Sequence, residues 1–247
     1  VIGCRVLAAK GPSGPATPSV GTLLTGDEWL DLAAGVELSL KHSETTRELR
    51  VRGPARLRAC PEGAETIVLA QGGVTSIAGP GTRAGASVML ATPLGVVEYA
   101  DAELTLDVTG DALSLDVQRG SASLGGSLRE DRPGATPPKP VRPPEGRLRL
   151  AGKVEPEALA TRCAAARASV ATGAAPAPSA AAERGEWAVA MLEKRRTIRL
   201  LCARAEAAAG RLEGPARAEL EDQLAGRKSR APAAAAPSAK AGADAGK

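Results

Sequence analysis

Hydrophobic and polar residues alternate through the first half of the chain. Val36, Leu38 and Leu40 interleave with Glu37, Ser39 and Lys41. Leu49 and Val51 alternate with Arg50 and Arg52, and Ala55, Leu57 and Ala59 with Arg56 and Arg58. A period of two turns one set of side chains to a core and the other to water, so each run predicts a half-buried strand. Thr66 to Ala70 and Val74 to Ile77 read as two strands parted by a Gly72-Gly73 turn, and Ser87 to Ala91 as another. The pattern is clearest from Glu103 to Leu124. There Leu104, Leu106 and Val108 lead through the turn Thr109-Gly110-Asp111 into Leu113, Leu115 and Val117. Gly120 breaks the run, and Ala122 and Leu124 resume it. Leu104, Leu106, Leu113, Leu115 and Val117 are expected to be buried together. Short strands separated by glycine turns predict an all-β domain over residues 1–130, a sandwich or a short twisted β-solenoid.

The period then changes. Residues 131–146 hold Pro133, Pro137, Pro138, Pro140, Pro143 and Pro144 and read as an extended linker. Arg147 to Ala151 predicts one strand that returns to the β-domain edge through Leu148 and Leu150. Over residues 147–228 helical spacing takes over. Leu159, Cys163, Ala166 and Val170 lie on one stripe of a helix from Glu155 to Thr172. Trp187, Met191, Ile198, Leu201, Cys202, Ala205 and Leu212 lie on a stripe of a second, from Ala181 to Leu212. Gly214-Pro215 opens a third, from Ala216 to Ala225, because proline suits a first helical turn. Trp187, Met191 and Ile198 are expected to pack on Leu159 and Val170 in an antiparallel hairpin. Residues 229–247 carry no period and read as a disordered tail. The fold class is therefore mainly β, then α.

Composition limits what the core can be. The chain has no Phe, one Tyr and two Trp among 247 residues. Asn is also missing, while Ala, Gly, Arg and Pro are abundant, a bias that GC-rich bacterial coding produces. Packing must rest on Leu, Val and Ala, which bury less area than aromatics. The net charge of +4 is spread through every predicted element. A nucleic-acid binder concentrates basic charge and often adds stacking aromatics, so no nucleic acid is expected as partner.

Four cysteines punctuate the chain: Cys4, Cys60, Cys163 and Cys202. None forms a C-x-x-C pair and His42 is the only histidine, so no metal site is expected. Val1-Ile2-Gly3-Cys4 matches the end of a lipoprotein signal, which makes Cys4 a candidate lipid acceptor and the only expected route to a membrane. The alternative is a plain strand from Val1 to Ala8. Cys163 and Cys202 lie on the apolar stripes of consecutive helices, where a disulfide or two buried thiols are the open readings. An oxidising compartment favours the bridge. Their unequal distances from the intervening loop argue against it.

Catalytic chemistry has few carriers. His42 lies among Lys41, Ser43 and Glu44 and reads as a solvated turn residue, without the orienting group a general base needs. Asp27 and Glu28 are adjacent, so on a strand they point to opposite faces. Asp101 and Glu103 share a face, as many surface pairs do. Gly79 to Gly85 resembles a phosphate loop, but a strand follows where a helix N-terminus is needed, so it reads as a turn. No catalytic residue and no cofactor are expected.

Three segments resemble the FecR-like domain of bacterial extracytoplasmic proteins. Gly21 to Glu28 precedes Ala33-Ala34-Gly35 and Val36-Glu37-Leu38, similar to that family's opening. Val51 to Leu57 is similar to its Gly-Pro-x-x-Leu strand. Thr92-Pro93-Leu94-Gly95 resembles its Thr-Pro-x-Gly turn, and Val117-Gln118-Arg119-Gly120 its closing Val-x-x-Gly. The resemblance spans residues 20–125 and marks Thr92, Pro93, Gly95 and Gly120 as turn positions. It implies a twisted all-β fold and signal relay in the envelope. The helical half has no obvious counterpart in that family, and no anti-sigma segment is recognisable. The expectation is a non-enzymatic periplasmic or envelope protein that binds or senses other envelope proteins, with the helices as a docking or oligomerisation element. A scaffold of an envelope complex without its own ligand is the alternative. Arg195, Arg196 and Arg199 are expected in solvent, where an anionic cell-wall polymer is a further candidate partner.

Overall fold

A computed structural model describes residues 3–11, 17–26, 28–43, 47–61, 65–77, 87–126, 140–143, 146–172 and 181–226. The strands are β1 (Cys4–Lys10), β2 (Leu23–Leu24), β3 (Leu30–Leu32), β4 (Glu37–His42), β5 (Glu48–Ala59), β6 (Thr66–Ile77), β7 (Val88–Thr92), β8 (Gly95–Tyr99), β9 (Ala102–Thr109), β10 (Ala112–Gly120), β11 (Ser123–Gly125) and β12 (Arg147–Ala151). Helices α1 (Pro156–Thr172), α2 (Ala181–Ala209) and α3 (Gly214–Leu224) follow. Among the described residues the strands join in one open, mostly antiparallel sheet of 12 strands. The chain is mainly β, then α.

The sheet is organised by one long hairpin. β5 and β6 pair along their lengths, with register shifts around Arg52 to Leu57. At that bend their outer edges change partner. β5 pairs with β4 through residues 48–52 and with β3 through residues 55–57. β6 pairs with β7, in parallel, through residues 66–68 and with β9 through residues 72–76. Two lobes result. One runs outward through β4, β1 and β2 on one side and β9, β10 and β12 on the other; the second runs through β3 on one side and β7, β8 and β11 on the other. Their inner faces share one core of Leu, Val, Ile and Ala, including Leu38, Leu57, Leu69, Leu90 and Leu106.

Gly72-Gly73 is therefore no turn between two strands. Both residues lie inside β6, where the strand bends. Gly72 has φ +109°, and a Cβ there would come within 2.4 Å of the Ala55 Cβ. Glycine is needed because two backbones cross closely, which sequence alone reads as a break. The runs around Leu49 and Leu57 lie in one strand. Leu104, Leu106, Leu113, Leu115 and Val117 are all buried, as their alternation predicts. β12 returns to pair with β10, Leu150 opposite Leu113. The end of the Pro-rich stretch also lies on the sheet: Val141 bridges Ala122, and the Gly146 carbonyl accepts from the Val117 N–H. Residues 131–139, Gly79 to Gly85 and the tail 229–247 lie outside the described residues.

The helices form an antiparallel hairpin closed by α3. Cys163 and Cys202 are disulfide-bonded, with Cα atoms 5.0 Å apart. The offset that argued against this bridge is real. It is absorbed because α2 has 29 residues and α1 only 17, leaving about 18 Å of α2 beyond the end of α1 by helix rise. For the same reason the expected packing of Trp187 and Met191 on Val170 is not the core of the hairpin. The buried cluster instead joins Leu159, Ala160 and Cys163 to Cys202, Ala205, Ala208 and Ala209, closed by Leu220 and Leu224. Arg167 ties α1 to α3 by donating to the Leu224 carbonyl.

Two glycines at the same φ separate backbone strain from crowding. Gly35 and Gly120 both have φ +79°, but a Cβ meets nothing within 4 Å at Gly35 and meets the Asp101 carbonyl oxygen at 1.9 Å at Gly120. Gly35→Ala is expected to cost about 1 kcal/mol from φ alone, and Gly120→Ala about 2–3 kcal/mol. Urea unfolding of the two variants measures the difference; equal losses would contradict the close approach at Gly120.

Candidate functional site

The Thr-Pro-x-Gly segment forms the turn between β7 and β8. Thr92 Oγ1 accepts from the N–H groups of Leu94 and Gly95, at 3.3 and 3.2 Å, and donates to the Gly95 carbonyl at 2.7 Å. A short hydroxyl side chain can close such a turn locally, which is why threonine begins it. Gly95 is the first residue of β8, opposite Thr92. Gly120, at the end of β10, is among the left-handed glycines and Gly95 is not. β8 stands between the two motif ends: its far end leads through Ala100 to Asp101, over which Gly120 sits. The structure thus groups Thr92, Pro93 and Gly95, and keeps Gly120 apart.

That turn is covered rather than offered to a ligand. Arg204 of α2, 1% exposed, donates from Nε to the Pro93 carbonyl at 2.7 Å and from Nη1 to the Gly126 carbonyl at 2.8 Å. Beside it Leu200, Ala203 and Ala207 pack on Val68, Ala91 and Val96. This explains why β6, β7 and β8 lose the alternation seen elsewhere. Their outward residues are apolar because a helix covers them, and a strand buried on both faces reads as a continuous apolar run. Thr66 to Ala70 and Val88 to Thr92 carry that signal in the sequence. No single-sequence signal marks Arg204 as the buried anchor.

Two further anchors flank it. Arg211 donates to the Ala70 and Gly110 carbonyls and pairs with Asp111 at 3.1 Å; its burial lowers its pKa, partly opposed by the Asp111 carboxylate. Trp29 Nε1 donates to Glu221 Oε1 at 2.7 Å, and its ring lies 5.0 Å from the Arg58 guanidinium. A Cβ at Gly210 would fall 2.2 Å from that ring, so the helix end must be glycine for the indole to fit. Arg58 and Glu221 are 3.6 Å apart. These contacts fix α2 and α3 to the sheet.

Toward the edge of the same face stands Glu98 of β8, 8% exposed. Arg196 grips its Oε2, with Nε at 3.1 Å and Nη2 also donating, and Arg199 Nη2 donates to its Oε1 at 3.2 Å. The two arginines border a hollow of about 430 Å³ with Ser87, Ser121, Ser123 and Pro140. Tyr99 lies beneath, 3% exposed, with the Arg47 guanidinium 5.3 Å from its ring. Arg47 is itself buried, pairs with Glu65 at 3.2 Å and donates to the Ala100 carbonyl.

Cys4 is buried and disulfide-bonded to Cys60, which lends the lipid-acceptor reading no support. His42 is not a solvated turn residue but the last residue of β4, 4% exposed and opposite Cys4. Arg195, Arg196 and Arg199 are exposed, as expected, and Arg196 and Arg199 also pair with Glu98. Asp27 lies outside the described residues. Glu103 faces Arg119 at 3.8 Å, an exposed surface pair. Among the described residues no cluster of three or more His, Cys, Asp or Glu is arranged to hold a metal, and no helix is long and apolar enough to cross a membrane.

Comparison with protein-family models, curated proteins and solved structures returns no match to this chain. What the fold defines is a bent, mostly antiparallel sheet followed by three helices, with two cystines. Such cystines are compatible with an extracellular or periplasmic protein.

Tyr99 supplies a pH signature. Burial pushes its phenol well above the ordinary value of 10.0, opposed in part by the Ser76 hydroxyl and the Arg47 charge. The unfolded chain releases this proton near pH 10 while the folded chain keeps it. The stability it contributes is therefore complete below about pH 10 and is lost as pH rises further, at up to about 1.4 kcal/mol per pH unit. Urea midpoints measured across that range should fall more steeply for the wild type than for Tyr99→Phe. Parallel slopes would contradict a buried, neutral phenol.

Proposed function

We infer that this chain is a non-enzymatic binding module of the bacterial cell envelope, with a FecR-like β-fold and a helical element that docks another envelope protein. The observation that carries the docking reading is the overhang of α2. Beyond the end of α1, Val189 is 57% and Leu192 65% exposed, and Trp187 and Met191 are half-buried. On a helical wheel Val189 and Leu192 continue the line of Leu200, Ala203 and Ala207, which covers the sheet. The stripe that binds this protein's own sheet thus runs on into solvent. Large exposed aliphatics in one stripe mark contact surfaces more often than scattered single ones do.

Size limits the contact. An overhang about 18 Å long and 10–12 Å wide offers less than the roughly 800 Å² per partner of a standard stable interface. The docking is therefore of the weak, exchanging kind unless neighbouring surface joins it. The Thr92–Gly95 turn and Arg204 have a supporting role in this reading: they hold the helix that presents the overhang. His42, buried at a strand end beside a cystine, is poorly placed for acid–base work on a substrate, which favours binding over catalysis.

A photoreactive side chain placed at Leu192 in the producing cells tests the reading, with Leu7 of β1, 41% exposed, as the control position. Discrete adducts to one polypeptide at position 192, lost in a Val189→Asp background and reproduced with the purified pair, are expected. Equal adducts at both positions, or none at 192, would contradict docking through α2.

A further inference from the structure

The hollow beside Glu98 has the chemistry of an anion site. Among its described lining residues three are charged, the guanidiniums of Arg196 and Arg199 and the carboxylate of Glu98. Glu98 is the one carboxylate among the described lining residues, and it is 8% exposed with both oxygens engaged by arginine. It therefore presents little negative charge to a ligand and serves to hold the guanidiniums. The side chains of Arg196 and Arg199 remain 57% and 61% exposed. Arg199 commits Nη2 to Glu98, and a guanidinium carries five donors in a fixed fork. An arginine ordered in advance lowers the entropy cost of gripping an oxyanion.

The rest of the lining decides what carries that oxyanion. Ser121 and Ser123 lie on the floor beside Glu98, where Ser123 Oγ donates to the Glu98 carbonyl at 3.3 Å, and Ser87 stands at the exposed rim. Ala100, Ala122 and Pro140 complete the wall. No aromatic face is offered, because the Tyr99 ring is buried and turned to Arg47. A flat apolar or aromatic ligand would find nothing to stack on. A hydroxylated ligand with one acidic group finds donors and acceptors for both parts. The volume of about 430 Å³ lies in the small-ligand range of roughly 300–1,000 Å³, enough for one sugar unit.

We propose that this hollow binds an acidic saccharide unit, a uronate or a sugar phosphate, with Arg199 on the oxyanion and the serines on the hydroxyls. This goes beyond docking through α2: the hollow and the overhang are different surfaces, so either function can fail without the other.

The test is calorimetric titration of the full chain with glucuronate, glucose 6-phosphate, glucose and inorganic phosphate, at low and at high salt. Both acidic sugars should saturate one site, more weakly at high salt. Glucose should give no saturation, and inorganic phosphate should bind several-fold more weakly than glucose 6-phosphate. Arg199→Gln, which leaves Arg196 on Glu98, should weaken both acidic sugars about tenfold or more, the loss of one charge-assisted contact. Arg149→Gln on β12 removes an exposed charge elsewhere and should change nothing. The idea is overturned if neither acidic sugar saturates, if inorganic phosphate binds as tightly as glucose 6-phosphate, or if Arg199→Gln binds like the wild type while melting at the same temperature.

Discussion

The outward face of β6, β7 and β8 cannot be left to water. Val68, Ala91 and Val96 point away from the main core and are buried only because Leu200, Ala203 and Ala207 lie on them. Apolar burial is worth roughly 25 cal/mol per Å², but it is non-directional and fixes no helix in place. Direction comes from arginine. Arg204 reaches under α2 to two carbonyls, Arg211 to two more and to Asp111, and Arg196 and Arg199 to Glu98. A buried guanidinium is costly unless its donors are met. Arg204, 1% exposed, therefore tolerates one position of the helix, and the hollow beside Glu98 and the overhang of α2 both inherit that position.

Much of this was legible in the sequence. Strict alternation in β9 and β10 marked a one-sided core, and Leu104 through Val117 are buried accordingly. The return of β12 followed from Leu148 and Leu150. Helix starts and ends were close because proline and glycine act locally. The bend of β5 and β6 was not legible. A glycine that lets two backbones cross looks the same in sequence as one that ends a strand, and only the partner residue, Ala55 for Gly72, separates the cases. The site was harder still. Thr92 was marked by its motif, but Arg204, Trp29 and Glu98 act across about 100 residues or more of chain, with separations of 111, 192 and 98 in their key contacts. Pairings at that distance leave no periodic trace in one sequence. The one available clue was the continuous apolar character of Thr66 to Ala70 and Val88 to Thr92.

The near absence of aromatics gives the cystines their weight. A core of Leu, Val and Ala buries less area per residue, so covalent closure contributes relatively more. In the chain-entropy account, bridges spanning 56 and 39 residues add about 4 kcal/mol each. Their placement is complementary. Cys4–Cys60 ties the first strand to the end of β5, inside the sheet, and Cys163–Cys202 ties α1 to the helix that covers it. Neither bridge joins sheet to helices. Among the described residues that junction rests on packing, on the Trp29–Glu221 contact and on the arginines.

The central claim is that sheet and helical cover form one cooperative unit through this junction. Equilibrium unfolding tests it, followed at once by the far-ultraviolet helix signal, by Trp29 at the junction in a Trp187→Phe background, and by Tyr99 in the sheet core. One denaturant midpoint and one slope shared by all three signals are predicted. Loss of the helix and Trp29 signals at lower denaturant, with Tyr99 still buried, would contradict the account. It would mean that the sheet stands without its cover.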